Sequence, residues 1–453
     1  MNDFEDKFGF TEQEWNACLK VLKILKEYPF ENPDNQTFGA LITKLHKSAK
    51  KEKKQQVSTE KKRETLEAVN SSTIATNALS GFSFYGEESD DMQTHFTEIN
   101  QSRNCYACNT PYHQIHSFYH RLCPECAVKN FDYRSKKVDL SGRKVILTGG
   151  RVKVGYATAL KFLRNHAELT VTTRFPAIAY EQFQKEHDFE KWKNRLTIYG
   201  LDLRNLEALG QFIDFYFEKN EVLDILVNNA AQTIQYDANY YTSLLDSERK
   251  LLQKALPITP NKTNWIANGQ IKDKVIKQVV NLSRFGQPVD ERLKTSWNST
   301  LEEIDMRELL EVNLINQISP YILIKELTPL MKKSTFDSKF IINVTSSEGQ
   351  FSYNNKTIFH PHTNMTKAAL NMLTRTSGED YARHNIFMNC VDVGWISTGA
   401  TEPLRKKQFK EGYIPPLDSV DGAARILHPI YEKIENNITF IGKLIKNYRM
   451  EDW

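Results

Sequence analysis

At 453 residues the chain has room for two or three domains, and its 40% hydrophobic and 11% aromatic content fits a globular protein with a sizeable core. A formal net charge of +4 is too small to mark the whole chain as a nucleic-acid binder, so any basic partner surface has to be local. No apolar run approaches the roughly 20 residues that span a bilayer, and the opening MNDFEDKFGF lacks the layout of a secretory signal. No membrane association and a cytoplasmic location are the expectation.

The first 70 residues read as a helical, basic segment. Thr11-Glu12-Gln13-Glu14 has the form of a capping box, and Trp15, Cys18, Leu19, Leu22 and Leu25 follow at helical spacing until Pro29. A second amphipathic segment runs from Phe38 to about Ala49, with Leu41 and Leu45. From Lys44 to Arg63 nine Lys or Arg stand against two Glu. A solvated charged face is the favoured reading, because no aromatic residues interleave for base stacking. Residues 71–102, rich in Ser, Thr, Asn, Gly and Glu and without a sustained period, read as a linker.

Residues 103–135 carry the sharpest metal signal. Cys105 and Cys108, then fourteen residues, then Cys123 and Cys126 form two Cys-x-x-Cys knuckles. Four thiolates suit tetrahedral Zn²⁺ with no open coordination position, so the expected metal has a folding role. His113, His116 and His120 lie between the knuckles, but four cysteines already complete a set. A metal site also suits a reducing compartment better than disulfides do.

From about residue 138 to the end, strand and helix patterns alternate, which predicts a parallel sheet with helices on both faces. Strands are expected near Val145–Thr148, Leu169–Thr173, Leu196–Tyr199, Leu223–Val227, Phe340–Val344, Phe387–Val391 and Thr439–Ile441. The first runs into Thr148-Gly149-Gly150 and Gly155 and then a helix. That turn lets backbone approach a pyrophosphate and presents helix N–H groups to its charge.

These punctuation points resemble the short-chain dehydrogenase/reductase family over about Leu140 to Asn447, and within it a longer subgroup with a cysteine knuckle before the sheet. The resemblance implies a doubly wound Rossmann sheet of about seven strands, preceded by the zinc knuckle and the helical segment. It implies a cofactor turn at Thr148, Gly149, Gly150 and Gly155, and contacts toward adenine from Asp202 and Leu203. Asn228-Asn229-Ala230-Ala231 is similar to the family's Asn-Asn-Ala-Gly motif, and Gly394 with Thr398 to the segment at the nicotinamide end. Asn313, Ser346 and Lys367 stand where the family has its catalytic asparagine, serine and lysine. Such sheets often pair, so a homo-oligomer is expected.

Two positions depart from the pattern. Lys153 takes the place of the middle glycine, so the turn must avoid a left-handed conformation there or accept strain. Thr363, four residues before Lys367, takes the place of the catalytic tyrosine. A phenol titrates near 10 and can be brought lower by a lysine, whereas an aliphatic hydroxyl is a far weaker acid. Thr363 should therefore lose most of the roughly 10²–10⁴-fold that general acid catalysis gives. Tyr353, His360 and His362 are the nearby substitutes.

The strand ending Thr172-Thr173-Arg174 offers no acidic residue for a ribose 2′-hydroxyl. Arg174, with Arg151 and Lys153 in the turn, favours the 2′-phosphate of NADP(H) over NAD(H). Residues 232–300 form an insertion at the ligand-binding end of the sheet, suited to a lid or a protein partner. Two functions follow. One is an NADP(H)-dependent oxidoreductase acting on a carbonyl or alcohol. The other is a catalytically impaired NADP(H)-binding scaffold or sensor acting through protein partners, held by the 232–300 insertion or the N-terminal arm. A nucleic-acid tether through the basic arm is a weaker third.

Overall fold

Thr11 begins the chain's first long helix in the way its sequence spells out. Its hydroxyl accepts from the Glu14 amide at 3.2 Å while its own amide donates to the Glu14 carboxylate at 2.8 Å. The computed structural model describes residues 3–80, 94–236, 238–260, 289–352, 356–396 and 402–453. It divides into two compact units, Met1–Thr65 and Leu66–Trp453.

The first unit is helical, with α1 (Asp3–Phe8), α2 (Glu12–Leu25) and most of α3 (Asn35–Asn70). α3 runs well past the Phe38–Ala49 segment expected. After Gly39 it meets no glycine or proline, and its Lys, Glu, Gln and Ala residues are strong helix formers. The basic residues from Lys44 to Arg63 lie exposed along it.

The second unit begins with α4 (Thr73–Ser80) and the antiparallel pair β1 (Phe96–Asn104) and β2 (Pro111–His116), followed by α5 (Pro124–Ser135). α4 and much of β1 fall inside the stretch expected as linker. Only Ile99 is buried along β1, so pairing with β2, and not its own periodicity, makes it a strand.

The sheet has the order β10-β9-β8-β7-β6-β3-β4-β5. In chain order its elements are β3 (Lys144–Thr148), α6 (Lys153–Arg164), β4 (Glu168–Thr173), α7 (Pro176–Gln184), α8 (Phe189–Trp192), β5 (Leu196–Gly200), α9 (Leu206–Lys219) and β6 (Ile225–Asn228). Then come α10 (Ala238–Leu252), α11 (Met306–Asn313), α12 (Ser319–Lys333), β7 (Lys339–Thr345), α13 (Pro361–Ala382) and β8 (Ile386–Asp392). The chain closes with α14 (Glu402–Lys410), α15 (Ser419–Asn436), β9 (Leu444–Lys446) and β10 (Arg449–Glu451). β7 and β8 are buried along their whole length, as strands covered on both faces require. One face packs Leu160, Phe162, Ile426 and Ile430 against the sheet; the other packs Leu209, Phe212, Leu323 and Leu327.

β3 pairs in parallel with β4 on one side and β6 on the other, so the chain reverses direction across the sheet at β3. That reversal opens a crevice at the carboxyl ends of the strands, where α/β proteins take their ligands.

One expected strand is displaced. Thr439–Ile441 runs irregularly, because Asn437 at φ 53 and Gly442 at φ 59 turn the backbone on either side. The ladder starts at Leu444, opposite Cys390, and β10 adds an antiparallel edge. Among the described residues no helix is long and apolar enough to cross a membrane.

Candidate active site

The glycine turn is locked from behind. Asn229 donates from Nδ2 to the carbonyls of Thr148 at 3.0 Å and Gly149 at 3.2 Å. The Thr148 hydroxyl accepts from the amides of Asn229 and Ala230. A side chain at Gly155 would put its Cβ 2.0 Å from the Gly149 carbonyl oxygen, so only glycine fits where α6 meets the turn. A Cβ on Gly150 would come within 2.5 Å of the Val171 side chain. Lys153 stands at φ 51, so the turn accepts the left-handed conformation, at a cost of roughly 1–2 kcal/mol for a residue with a Cβ.

Past β4, two cations meet. Arg151 is buried, and burial together with the neighbouring charge of Arg174 draws its guanidinium down to about 10. Arg174 donates from Nη1 to the Tyr241 hydroxyl at 3.3 Å and lies 5.0 Å over that ring. Tyr241 belongs to α10, in the insertion. Glu248 of the same helix accepts the amides of Ala177 and Ile178 at 2.8 and 2.9 Å, capping α7.

Asp202, expected near adenine, is clamped by Arg204, which donates from Nε to Oδ1 at 3.0 Å and from Nη2 to Oδ2 at 2.6 Å. Burial pushes that carboxyl up, but the guanidinium outweighs it and holds it below the usual range. Leu203 is buried, its carbonyl accepting from the Ser319 hydroxyl.

The other half of the crevice gathers Ser346, Thr363 and Lys367. Ser346 leaves the end of β7 half-buried, and its hydroxyl makes no hydrogen bond to the described residues. α13 sets Thr363 and Lys367 one turn apart on one face. The Lys367 ammonium donates to the Val344 carbonyl at 2.7 Å, and burial lowers it to about 8. Thr363 is only 2% exposed, and its hydroxyl has no hydrogen-bond partner among the described residues.

Neither nearby imidazole stands in for the phenol. His360, at φ 44, stacks on Trp297 with centroids 4.3 Å apart and holds Nδ1 2.7 Å from the Trp297 carbonyl. His362 points at α11, with Nε2 3.3 Å from a Glu308 carboxylate oxygen. Asn313 bonds along its own helix to Leu309 and Gln317, and the chain opens directly afterwards into a π-helical turn, Leu314–Ile318. Such turns recur at functional sites. Gly394, at φ 82, donates its amide to Asp392 at 2.8 Å. Tyr353 and Thr398 lie outside the described residues.

In front of the sheet, the sulfurs of Cys105, Cys108, Cys123 and Cys126 lie within 4.8 Å of one another. A tetrahedron with Zn–S near 2.3 Å needs edges of about 3.8 Å, and Cys108 and Cys123 are 3.7 Å apart. Hydrogen bonding from Cys126 draws Cys105 down to about 4, while burial pushes Cys123 up to about 11. Four sulfurs this close cannot all ionise unless a cation shares their charge. The buried histidines are engaged elsewhere, His116 Nδ1 accepting the Phe118 amide and His120 Nε2 facing the Ile414 carbonyl.

Sequence reading missed Arg204, Tyr241, Glu248 and Glu308. Arg204, two residues after Asp202, carried a signal in that spacing. The others sit on helices whose packing partners lie far away in the chain.

A family model described as Enoyl-(Acyl carrier protein) reductase matches residues 293–414. The chain is 32% identical over 352 residues to the uncharacterized protein R665 of Acanthamoeba polyphaga mimivirus, covering 73% of this chain and 71% of that one. It is 32% identical over 100 residues to the short chain dehydrogenase pgmD of Aspergillus terreus, 22% of this chain and 31% of that protein. The solved complex of Pseudomonas aeruginosa RhlG with NADP aligns at a TM-score of 0.46 and 17% identity, over 68% of this chain and 95% of that one. The chain belongs to one family with the mimivirus protein, and its residues 293–414 are similar to the reductase family whose model they match.

Proposed function

We propose that this protein is an NADP(H)-dependent oxidoreductase that interconverts a carbonyl and an alcohol, with a structural Zn²⁺ in its cysteine knuckle. The observation that carries the choice of nucleotide is the pair Arg151 and Arg174. The two guanidiniums stand over the same Phe175 ring, 5.3 and 5.9 Å from its centroid, and a phosphate there would add to the partial relief that Glu248 already gives Arg151. No acidic residue follows β4 to take a ribose 2′-hydroxyl.

Gly149, Gly150 and Gly155, with the α6 N-terminus, would hold the diphosphate, and Asn229 keeps their backbone in place. When bound, the nicotinamide supplies or takes up a hydride. Ser346 has an uncommitted hydroxyl with which to hydrogen-bond the substrate oxygen. Lys367 brings a cation to the same corner, and Asn313 would serve from the helix opening that follows α11. Thr363 offers a hydrogen bond but little acidity. The four cysteines would close a tetrahedron around zinc and leave no position for substrate.

A second reading, a nucleotide-binding scaffold or sensor, is favoured by Thr363, whose buried aliphatic hydroxyl replaces the proton donor. The test begins with binding. NADPH should raise the melting temperature more than NADH does, and Arg174→Ala should erase the difference. A panel of carbonyls with NADPH then separates the two readings. Binding without oxidation, in wild type and in Thr363→Tyr alike, leaves the scaffold. No binding of any nicotinamide nucleotide removes both.

A further inference from the structure

We propose that Tyr106, carried on the Cys105–Cys108 turn, positions the Gly394–Ile396 segment at the nicotinamide end of the crevice, which makes the knuckle part of the cofactor site. The inference rests on the NADP(H) reading above. A dinucleotide laid across the reversal at β3, with its diphosphate on the glycine turn and its 2′-phosphate toward Arg174, leaves the half over β7 and β8 for the nicotinamide. Gly394, Trp395 and Ile396 leave the carboxyl end of β8 there, where Asp392 pairs with Thr345 at the end of β7.

The knuckle holds this segment directly. The Trp395 amide donates to the Tyr106 hydroxyl at 2.8 Å. A Cβ on Gly394 would lie 3.4 Å from that hydroxyl and 2.7 Å from Leu417, so the backbone is fitted closely against both. The Arg121 guanidinium sits 5.0 Å over the Trp395 ring, and the Tyr106 amide donates to the Arg121 carbonyl at 2.8 Å.

A second path reaches the same place through α15. Tyr119 donates to Asp421 at 2.5 Å, and Arg134 donates to both Asp418 oxygens at 2.6 and 2.8 Å, which ties the first turn of α15 to the knuckle. Within that turn, Gly422 is wedged between Ile396 and Val154 of α6; a Cβ there would come within 2.5 Å of Ile396. Tyr106 lies between two metal-ligating positions, so the cysteine cluster fixes where its hydroxyl stands.

The test compares two ligands on the full-length protein by calorimetry: NADPH, and 2′,5′-ADP, which carries the adenosine half alone. Tyr106→Phe keeps the ring and removes the hydrogen bond. It should weaken NADPH about fivefold and leave 2′,5′-ADP affinity, zinc content and melting temperature unchanged. Should the variant melt early, Arg121→Met carries the test, with the same split at about twofold. Equal weakening of both ligands, or unchanged NADPH affinity, overturns the inference alone. A wild type that binds neither ligand removes the cofactor reading and the inference with it.

Discussion

The cysteine knuckle and the corner around Thr363 are built by opposite logics. In the knuckle, four sulfurs from two short turns converge within 4.8 Å, and the buried histidines beside them are engaged elsewhere. The corner draws on Ser346 from the end of β7 and on Thr363 and Lys367 from α13, and the Thr363 hydroxyl has no partner among the described residues. The first set of residues is sufficient by itself once a cation arrives. The second acquires its chemistry from whatever fills the crevice. A substitution of one of the four knuckle cysteines should therefore be read in stability, and one in the corner in turnover.

The largest expected effect tests the first half of that contrast. Cys123→Ser should abolish zinc binding and unfold the knuckle, because metal-binding free energies of about 10–16 kcal/mol become folding energy at structural sites. Metal analysis and thermal melting check it. A variant that keeps its melting temperature would put the knuckle's stability in its protein core, Tyr112, Tyr119 and Leu122, and not in the metal.

Next in size is the gain expected from Thr363→Tyr. Restoring a phenol one turn from the Lys367 ammonium should raise carbonyl reduction by roughly 10²–10⁴-fold if general acid catalysis is what the corner lacks. Steady-state NADPH oxidation measures it. No gain would mean that Thr363 faces packing and not substrate, as its burial allows.

The same contrast explains what could be read in advance. Cysteine pairs and glycine turns are local, so the clustering of Cys105, Cys108, Cys123 and Cys126 and the strand, turn and helix around Thr148 through Gly155 were legible from spacing alone. Parallel strands buried on both faces were legible as apolar runs, and Val145–Thr148 and Leu169–Thr173 needed little more. The strand expected at Thr439–Ile441 failed because the left-handed residues Asn437 and Gly442, not the apolar run, decide where the ladder begins. β1 was missed because its partner strand supplies its order. Arg204 on Asp202, and Glu248 on the α7 N-terminus, are pairings whose energy depends on burial, which no local pattern displays.

Arg174→Ala comes third. Hydrogen bonds to a charged group contribute about 1.5–3 kcal/mol, so NADPH affinity should fall roughly 10- to 100-fold while NADH affinity stays as it was. Calorimetry with both nucleotides shows the split. An equal loss for both would assign Arg174 to holding α10 through Tyr241.

The smallest effect is the most diagnostic, because binding and stability should move in opposite directions. Burial lowers Lys367 to about 8 from a usual 10.5, against the pull of Glu348, Cys390 and Asp392. The folded chain therefore gives up a proton near pH 8 that the unfolded chain keeps to about 10.5, and more protons on the unfolded state mean that stability rises with pH across this window. An anionic dinucleotide favours the ammonium, so NADPH affinity should be highest below pH 8 and fall severalfold as pH rises through it. Lys367→Met removes the proton and should flatten both slopes. If the variant retains the decline in NADPH affinity, the titrating cation is another group on the cofactor's path, with Lys153 of the glycine turn, lowered by its own burial, next in line. That outcome would move the pH-sensitive charge from the nicotinamide half of the crevice to the glycine turn under the diphosphate, and leave the corner without the cation that its chemistry needs.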